Sequence, residues 1–232
     1  MTDLFVVLAL LRKWFYDQLI SSDKRGATWK IVGQQILVAH IVQDDAVDND
    51  AWDGYNQNRD RMLNTIRDNN IDNVIFLSGD SHASWLSEVT PLESLNGTAY
   101  DPSTGNGSYA VEFGGTAVTS PSQYGEHSST AEYTAQAEKL VQTNKGLHFA
   151  EGQYRGFFTL ALNEDRALAT FYATPNVTVQ GDKTIKLADF EIEKGKNRLS
   201  RPINGGQKPV AGAIQAQQVD YSKQKWNGTG FS

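Results

Sequence analysis

The chain has 232 residues, of which 39% are hydrophobic and 21% are charged, as expected for one globular domain or two small ones. It contains no cysteine, which excludes a disulfide scaffold, a cysteine-ligated zinc site and thiol catalysis. The net charge of −6 and the lack of a basic stripe argue against a protein that coats nucleic acid, and no apolar run approaches the roughly 20 residues that span a bilayer.

The first half of the chain alternates between predicted helices and predicted strands. Apolar residues spaced three and four apart predict a helix over 8–22, and a run of β-branched residues predicts a strand over 29–42. A second helical pattern covers 55–70, and 73–77 is a short apolar strand. Because short links join strand, helix and strand, we expect an α/β fold with a parallel pair of strands and a covering helix.

The second half predicts mainly extended structure. Residues 91–108 are rich in Asn, Gly, Ser, Thr and Pro and are predicted to form a surface loop, and 131–141 is predicted to be helical. Extended segments are predicted at 109–113, 116–121, 156–162, 166–172 and 183–190. The last three are expected to pair antiparallel, with a tight turn at 163–165.

The sharpest chemical pattern is Gly79-Asp80-Ser81-His82, which directly follows the predicted strand 73–77. Ligands of open α/β sheets bind at the carboxyl ends of strands. A carboxylate and an imidazole two residues apart across a glycine turn can face one metal centre, and these donors suit iron, manganese or zinc. Taken alone the pattern is weak, because Gly-Asp is a common turn dipeptide and single histidines are more often surface or hydrogen-bonded core residues.

Acidic residues are concentrated between Asp44 and Asp53, which raises the alternative of a calcium loop. An EF-hand loop requires glycine at position 6 and glutamate at position 12. Counted from Asp48, these positions hold Asp53 and Arg59. The pattern fails, and we expect a solvated acidic loop with at most adventitious cation binding.

Five motifs in a fixed order carry a resemblance to a known family. They are Trp29-Lys-Ile-Val-Gly-Gln-Gln35, Asp50-Ala-Trp-Asp-Gly-Tyr55, Phe76-Leu-Ser-Gly-Asp-Ser-His-Ala-Ser-Trp85, Val111-Glu-Phe113 and Thr119-Ser-Pro121. Together they resemble the second half of an alkaline phosphatase D (PhoD-like) metallophosphoesterase of the calcineurin-like superfamily. Segments 144–149, 155–157 and 191–203 resemble the later part of that family, so the resemblance covers residues 13–204.

The resemblance implies a fold and a division of the chain. The fold would be a partial metallophosphoesterase α/β/β/α sandwich, with a mixed sheet, flanking helices and antiparallel strands in the second half. Residues 13–204 would form the C-terminal half of the PhoD-like domain. Residues 1–12 are an atypical N-terminal segment, because their apolar run is followed rather than preceded by positive charge, the reverse of a secretory signal. Residues 205–232 form a polar tail rich in Gly and Gln.

The resemblance also implies a site. Asp80 and His82 would each bind one side of a binuclear metal centre, containing iron with calcium, or manganese or zinc. The metals would activate a bridging water, so no protein nucleophile is required. We expect the two side chains within about 5 Å of each other, in one loop at the carboxyl end of a strand.

Other candidate residues have two interpretations each. Asp53 and Trp85 would support the ligands or line the pocket; alternatively Trp85 is a core residue and Asp53 caps a turn. His148 is a candidate further ligand or phosphate contact. His40, in a predicted strand, and His127, in a polar loop, are expected to be structural or solvated.

By resemblance, the partner is a phosphate ester substrate, and the chain carries only the second half of the site, since the first half of family enzymes supplies most ligands. We therefore expect a missing N-terminal half and a sheet with an exposed edge or apolar face. The alternatives are a truncated, catalytically inactive chain and a non-catalytic secreted binding module.

Family members are usually secreted or periplasmic, and four glycosylation sequons, at Asn96, Asn106, Asn176 and Asn227, mildly favour secretion, although the sequence shows no recognisable signal peptide.

Overall fold

The computed structural model describes residues 2–122 and 129–216, and side chains from residue 10 onward. The helices are α1 (Thr2–Lys24), α2 (Asn56–Asp68), α3 (Leu92–Asn96) and α4 (Thr130–Thr143). The strands are β1 (Lys30–Gly33), β2 (Val42–Gln43), β3 (Ala46–Val47), β4 (Val74–Ser78), β5 (Ser84–Val89), β6 (Ala110–Gly114), β7 (Leu147–Glu151), β8 (Arg155–Leu162), β9 (Arg166–Thr174), β10 (Ile185–Glu193) and β11 (Ala213–Ile214). Short 3₁₀ turns lie at Trp52–Tyr55 and Ile203–Gly206. None of the described helices is long and apolar enough to cross a bilayer.

Two sheets form the body of the molecule. The first has the order β1-β4-β6-β5-β7-β11, in which β1, β4 and β6 are parallel and the remaining pairs are antiparallel. The second sheet has the antiparallel order β10-β9-β8. The expected α/β class, the mixed sheet and the antiparallel second half are therefore confirmed.

The apolar faces of the two sheets determine how the layers stack. Phe113 and Phe149 of the first sheet pack on Phe171 and Phe190 of the second, with ring centroids 5.2–6.3 Å apart for the contacting pairs. Residues of α1, α2 and α4 cover the other face of the first sheet. The described residues thus form three layers, α/β/β, of the four in the expected sandwich. On the outer face of the second sheet Phe157 stays 48% exposed.

The described residues include an open sheet edge and several exposed apolar side chains, while the expected missing half stays a prediction. Within the described residues β1 is an edge strand, and its Ile31 is 39% exposed. Helix α1 exposes Leu10, Leu11 and Trp14 to solvent. The helix also runs without a break through residues 12 and 13, where the sequence division was drawn. Part of the predicted polar tail joins the fold, because β11 pairs with β7.

Several predicted elements differ from those observed. The strand predicted over 29–42 is only the four residues of β1, and His40 therefore lies in an irregular segment. Residues 116–121 form no strand, whereas β5 and α3 were not predicted. Helix α1 begins six residues before its predicted start, and the remaining predicted helices and strands lie within three residues of their expected bounds.

A buried carboxylate explains why β1 is short. Both oxygens of Glu112, at the centre of β6, accept main-chain hydrogen bonds, from Val38 at 2.8 Å and Ala39 at 2.7 Å. The fully buried Arg59 donates its Nε to the Val38 carbonyl. Because side chains satisfy these main-chain groups, the segment after β1 needs no strand partner. Burial raises the pKa of Glu112, although the two amides oppose this shift.

A second buried carboxylate fastens the far end of the first sheet. Glu88 accepts hydrogen bonds from Tyr100 at 2.8 Å, from the Leu199 amide at 2.8 Å and from Arg201, and it lies 3.1 Å from Nε2 of His148. Burial alone would raise the pKa of Glu88, but the contacts with His148 and Arg201 outweigh it and lower the pKa to about 2. This cluster joins β5 and β7 to the segment before the Ile203–Gly206 turn.

We expect Arg201→Met to lower the free energy of unfolding by about 3 kcal/mol, because the change removes the guanidinium that pairs with the buried Glu88 carboxylate. Urea denaturation followed by tryptophan fluorescence measures the loss. Arg166→Met is the matched control: its ion pair with Glu191 is exposed, and its loss should cost less than about 1 kcal/mol. Equal losses in the two variants would contradict a fastening role for Glu88.

Candidate functional site

Three strand ends meet at one edge of the first sheet. Strands β4 and β6 are parallel and end there, at Ser78 and Gly114, and β5 begins there, at Ser84. Because β6 lies between β4 and β5, residues 79–83 must cross the end of β6. The crossing is fixed where it begins: the Gly79 amide donates to Gln35, and the Gly115 amide donates to Ser78 at 2.8 Å.

Residues 79–82, called the site turn below, have an uncommon backbone. Asp80 and His82 have left-handed φ angles of 66° and 56°, and the Ser81 amide donates to the Gly79 carbonyl at 2.8 Å. For residues other than glycine this region costs on the order of 1 kcal/mol each, and such residues persist where the surroundings hold them. The surroundings of this turn therefore decide whether its conformation is kept.

Trp85 holds the middle of the site turn. Its indole is 2% exposed, and its Nε1 donates to the Ser81 hydroxyl at 2.7 Å. The ring lies against Gly114, where a Cβ would come within 3.1 Å of Trp85 Cβ. Glycine at this position lets the indole pack over the end of β6. Trp85 is thus a core residue that also contacts the residue between the two predicted ligands.

The His82 ring is oriented by a main-chain carbonyl. Its Nδ1 lies 3.0 Å from the Pro121 carbonyl oxygen, which can only accept, so Nδ1 carries the proton. This leaves Nε2 with a free electron pair, and Nε2 has no hydrogen-bond partner in the part of the chain that the structure describes. Histidines that bind metals commonly donate their other N–H to such a carbonyl.

Asp80 completes the donor pair. The residue is exposed, and its carboxylate makes no hydrogen bond within residues 2–122 and 129–216. One uncommitted carboxylate and one imidazole nitrogen in a single turn fit a divalent or trivalent metal of borderline hardness. The described residues contain no group of three or more His, Asp or Glu residues placed to hold an ion.

Asp53 lies near this edge but contacts other residues. Its carboxylate, 5% exposed as a residue, accepts from Nδ1 of His40 at 2.7 Å and from the Ile41 amide at 3.3 Å. Its neighbour Trp52 donates Nε1 to Gln34 at 3.1 Å, in the segment that holds Gly79. Asp53 therefore orders the segment after β1 and does not contact the site turn.

The structure does not bring His148 to the site turn. His148 is fully buried, and its Nε2 contacts Glu88 and Tyr100 at the opposite end of the sheet. In the register of β5 and β7, the site edge corresponds to Glu151, three residues further along. His127 lies outside the described residues.

Two charged residues beside the turn were not predicted. Arg155 is 5% exposed and donates to the His82 carbonyl at 2.7 Å. Glu151, at the end of β7, accepts from the amides of Gln153 and Tyr154 at 2.6 and 3.1 Å. Burial raises the pKa of Glu151 to about 7, against the opposing effects of the two amides and of Arg155. In the sequence, Arg155 belongs to the segment 155–157 that resembles the later part of the family, and no pattern marks Glu151.

Glu151→Gln should flatten the pH dependence of stability. A carboxyl group whose pKa rises from 4.5 to about 7 on folding binds a proton that the unfolded chain lacks between these values, so stability falls as pH rises through this window. Relative to Glu151→Gln, the wild type should lose on the order of 3 kcal/mol between pH 4.5 and pH 8, measured by urea denaturation. Parallel pH profiles for the two proteins would contradict the raised pKa.

Comparisons with known proteins identify a family for this chain. A model of the PhoD-like phosphatase family matches residues 11–171. Alkaline phosphatase D of Bacillus subtilis (strain 168) is 29% identical over 205 residues, covering 84% of this chain and 32% of that protein. A solved structure described as "Structure of PhoD" superposes with a TM-score of 0.63 at 26% identity, covering 89% of this chain and 35% of that chain. The chain thus spans about a third of the length of these relatives. Since the family model matches more than half of its residues, the chain belongs to the PhoD-like phosphatase family.

Proposed function

We propose that this chain contributes the Asp80–His82 turn to a metal-dependent phosphoesterase that hydrolyses phosphate monoesters or diesters. The observation that supports the proposal most is the His82 ring, whose Nδ1 is committed to Pro121 while Nε2 has no partner among the described residues, in the same turn as the exposed Asp80. Membership of the PhoD-like phosphatase family supports the reaction class.

In this proposal each residue of the turn has a defined task. His82 presents Nε2 and Asp80 presents its carboxylate to the metal centre, either iron with calcium or manganese or zinc. The bound metals would supply a Lewis acid and lower the pKa of a coordinated water. Trp85 keeps Ser81 in place between the two ligands, so that the turn does not have to reorganise when a metal binds.

The number of ligands limits what the isolated chain can do. A pair of metals requires about four to six protein ligands, whereas the site turn carries two candidates and the described residues contain no group of three or more. The proposal therefore includes a complementary segment, of the kind that the longer relatives have room for, which provides the remaining ligands. Two ligands alone cannot fix the geometry that in-line attack on phosphorus requires.

We expect the purified chain to hydrolyse p-nitrophenyl phosphate, or its diester, barely above background with added iron, manganese or calcium. Joining a PhoD-type first half upstream should restore hydrolysis. In that joined protein His82→Ala and Asp80→Asn should each lower kcat/KM at least 100-fold, measured by nitrophenolate release, because each removes a metal ligand.

The matched control is Asp48→Asn, which removes an exposed carboxylate from the acidic segment and should leave kcat/KM unchanged. Robust turnover by the 232 residues alone would show that this chain holds further ligands. Retention of activity in the joined His82→Ala protein would overturn the proposal.

A further inference from the structure

Arg155 is a buried cation whose described hydrogen-bond acceptors are all neutral main-chain oxygens. It begins β8 and is 5% exposed. Its Nη1 donates to His82 at 2.7 Å and to Ser120 at 3.0 Å, and its Nη2 donates to Gly152 at 2.8 Å and to Gln153 at 3.3 Å. Burying a guanidinium is costly, and a neutral side chain of similar length would fill the same space without that cost. A buried guanidinium is therefore expected where these carbonyls must be held in fixed positions.

The two acceptors of Nη1 lie at the two ends of the hydrogen bond that orients the His82 ring. One is the main chain of His82 itself, in its left-handed conformation. The other is Ser120, whose neighbour Pro121 accepts the ring Nδ1–H. One nitrogen thus fixes both the residue that carries the donor and the segment that carries the acceptor. Thr116 also donates to the His82 carbonyl, at the longer distance of 3.3 Å.

Arg155 is itself positioned by Glu151. Its carboxylate accepts from the amides of Gln153 and Tyr154, which folds the main chain after β7 so that the Gly152 and Gln153 carbonyls meet Nη2 of Arg155. The negative charge also favours a guanidinium at this position. The path from Glu151 through Arg155 to His82 consists entirely of side chains bound to main chain.

We propose that Arg155 is the positioning residue that sets the orientation and the tautomer of the His82 imidazole; that the ring is held in this way for a metal rests on the proposed function. Without Arg155, the His82 main chain loses its strongest contact and the Pro121 carbonyl is no longer held opposite Nδ1. The ring then exchanges between tautomers, and Nε2 carries the proton part of the time.

The direct test is long-range ¹H–¹⁵N NMR of the imidazole nitrogens, recorded without metal in alkaline buffer. The wild type should show one His82 tautomer with the proton on Nδ1, and Arg155→Met should show a mixture. Arg155→Lys should give an intermediate result, since a single ammonium cannot hold the four carbonyls in fixed directions. Arg166→Met, which removes the exposed arginine at the start of the neighbouring strand β9, should match the wild type.

A second measurement reports metal affinity: the Mn²⁺ concentration that half-saturates each protein, followed by electron paramagnetic resonance. Loss of a residue that orients a metal-binding histidine weakens binding about 10- to 100-fold, and we expect this range for Arg155→Met and no change for Arg166→Met. If Arg155→Met does not fold, Arg155→Lys decides, with mixed tautomers and several-fold weaker Mn²⁺ binding expected.

The outcomes separate the inference from the proposed function. A single Nδ1–H tautomer in the folded Arg155 variants would overturn the positioning role, whatever the metal does. Mixed tautomers in those variants, with a wild type that binds no Mn²⁺, would support the positioning role and count against the proposed metal function.

Discussion

The site depends on one crossing: the chain leaves β4, passes over the end of β6 and enters β5 within residues 79–83. Two residues of this short link take left-handed backbone angles. The crossing also places an exposed carboxylate and a half-buried imidazole at the carboxyl ends of parallel strands, where α/β proteins bind their ligands. Asp80 and His82 thus combine an uncommon backbone conformation with the side chains of the candidate site.

Buried polar side chains hold irregular segments against both ends of the first sheet. At the site edge Trp85 and Arg155 bind the turn and the segment before Pro121. In the middle Glu112 holds the segment after β1, and at the far end Glu88 holds the segment before Ile203–Gly206. Contacts with His148 and Arg201 lower the pKa of Glu88, whereas burial raises the pKa of Glu112 although two main-chain amides oppose it.

Sequence patterns predicted the elements whose apolar residues form either a periodic face or a continuous run. The apolar face of α2 predicted that helix, and the short apolar run of β4 predicted that strand and the turn after it. The order of the motifs indicated the family. The patterns failed where distant side chains decide the structure. Glu112 ends the predicted 29–42 strand from more than seventy residues away, and no local pattern contains that contact.

The same limit applies to the residues around the site. Arg155 and Glu151 bind main-chain carbonyls and amides, which nearly every residue has. No pattern of residue types in the sequence therefore predicts their role. His148 was a reasonable candidate by residue type, but only the register of β5 and β7 shows at which end of the sheet it lies.

The proposed function requires that the site turn, and not the acidic segment 44–53, binds the metal. Titration with Mn²⁺, followed by the broadening of backbone amide NMR signals, tests it directly. At the lowest Mn²⁺ concentrations the signals of residues 79–83 should broaden first, and His82→Ala should abolish this broadening. Broadening that begins in residues 44–53 and persists in His82→Ala would contradict the account.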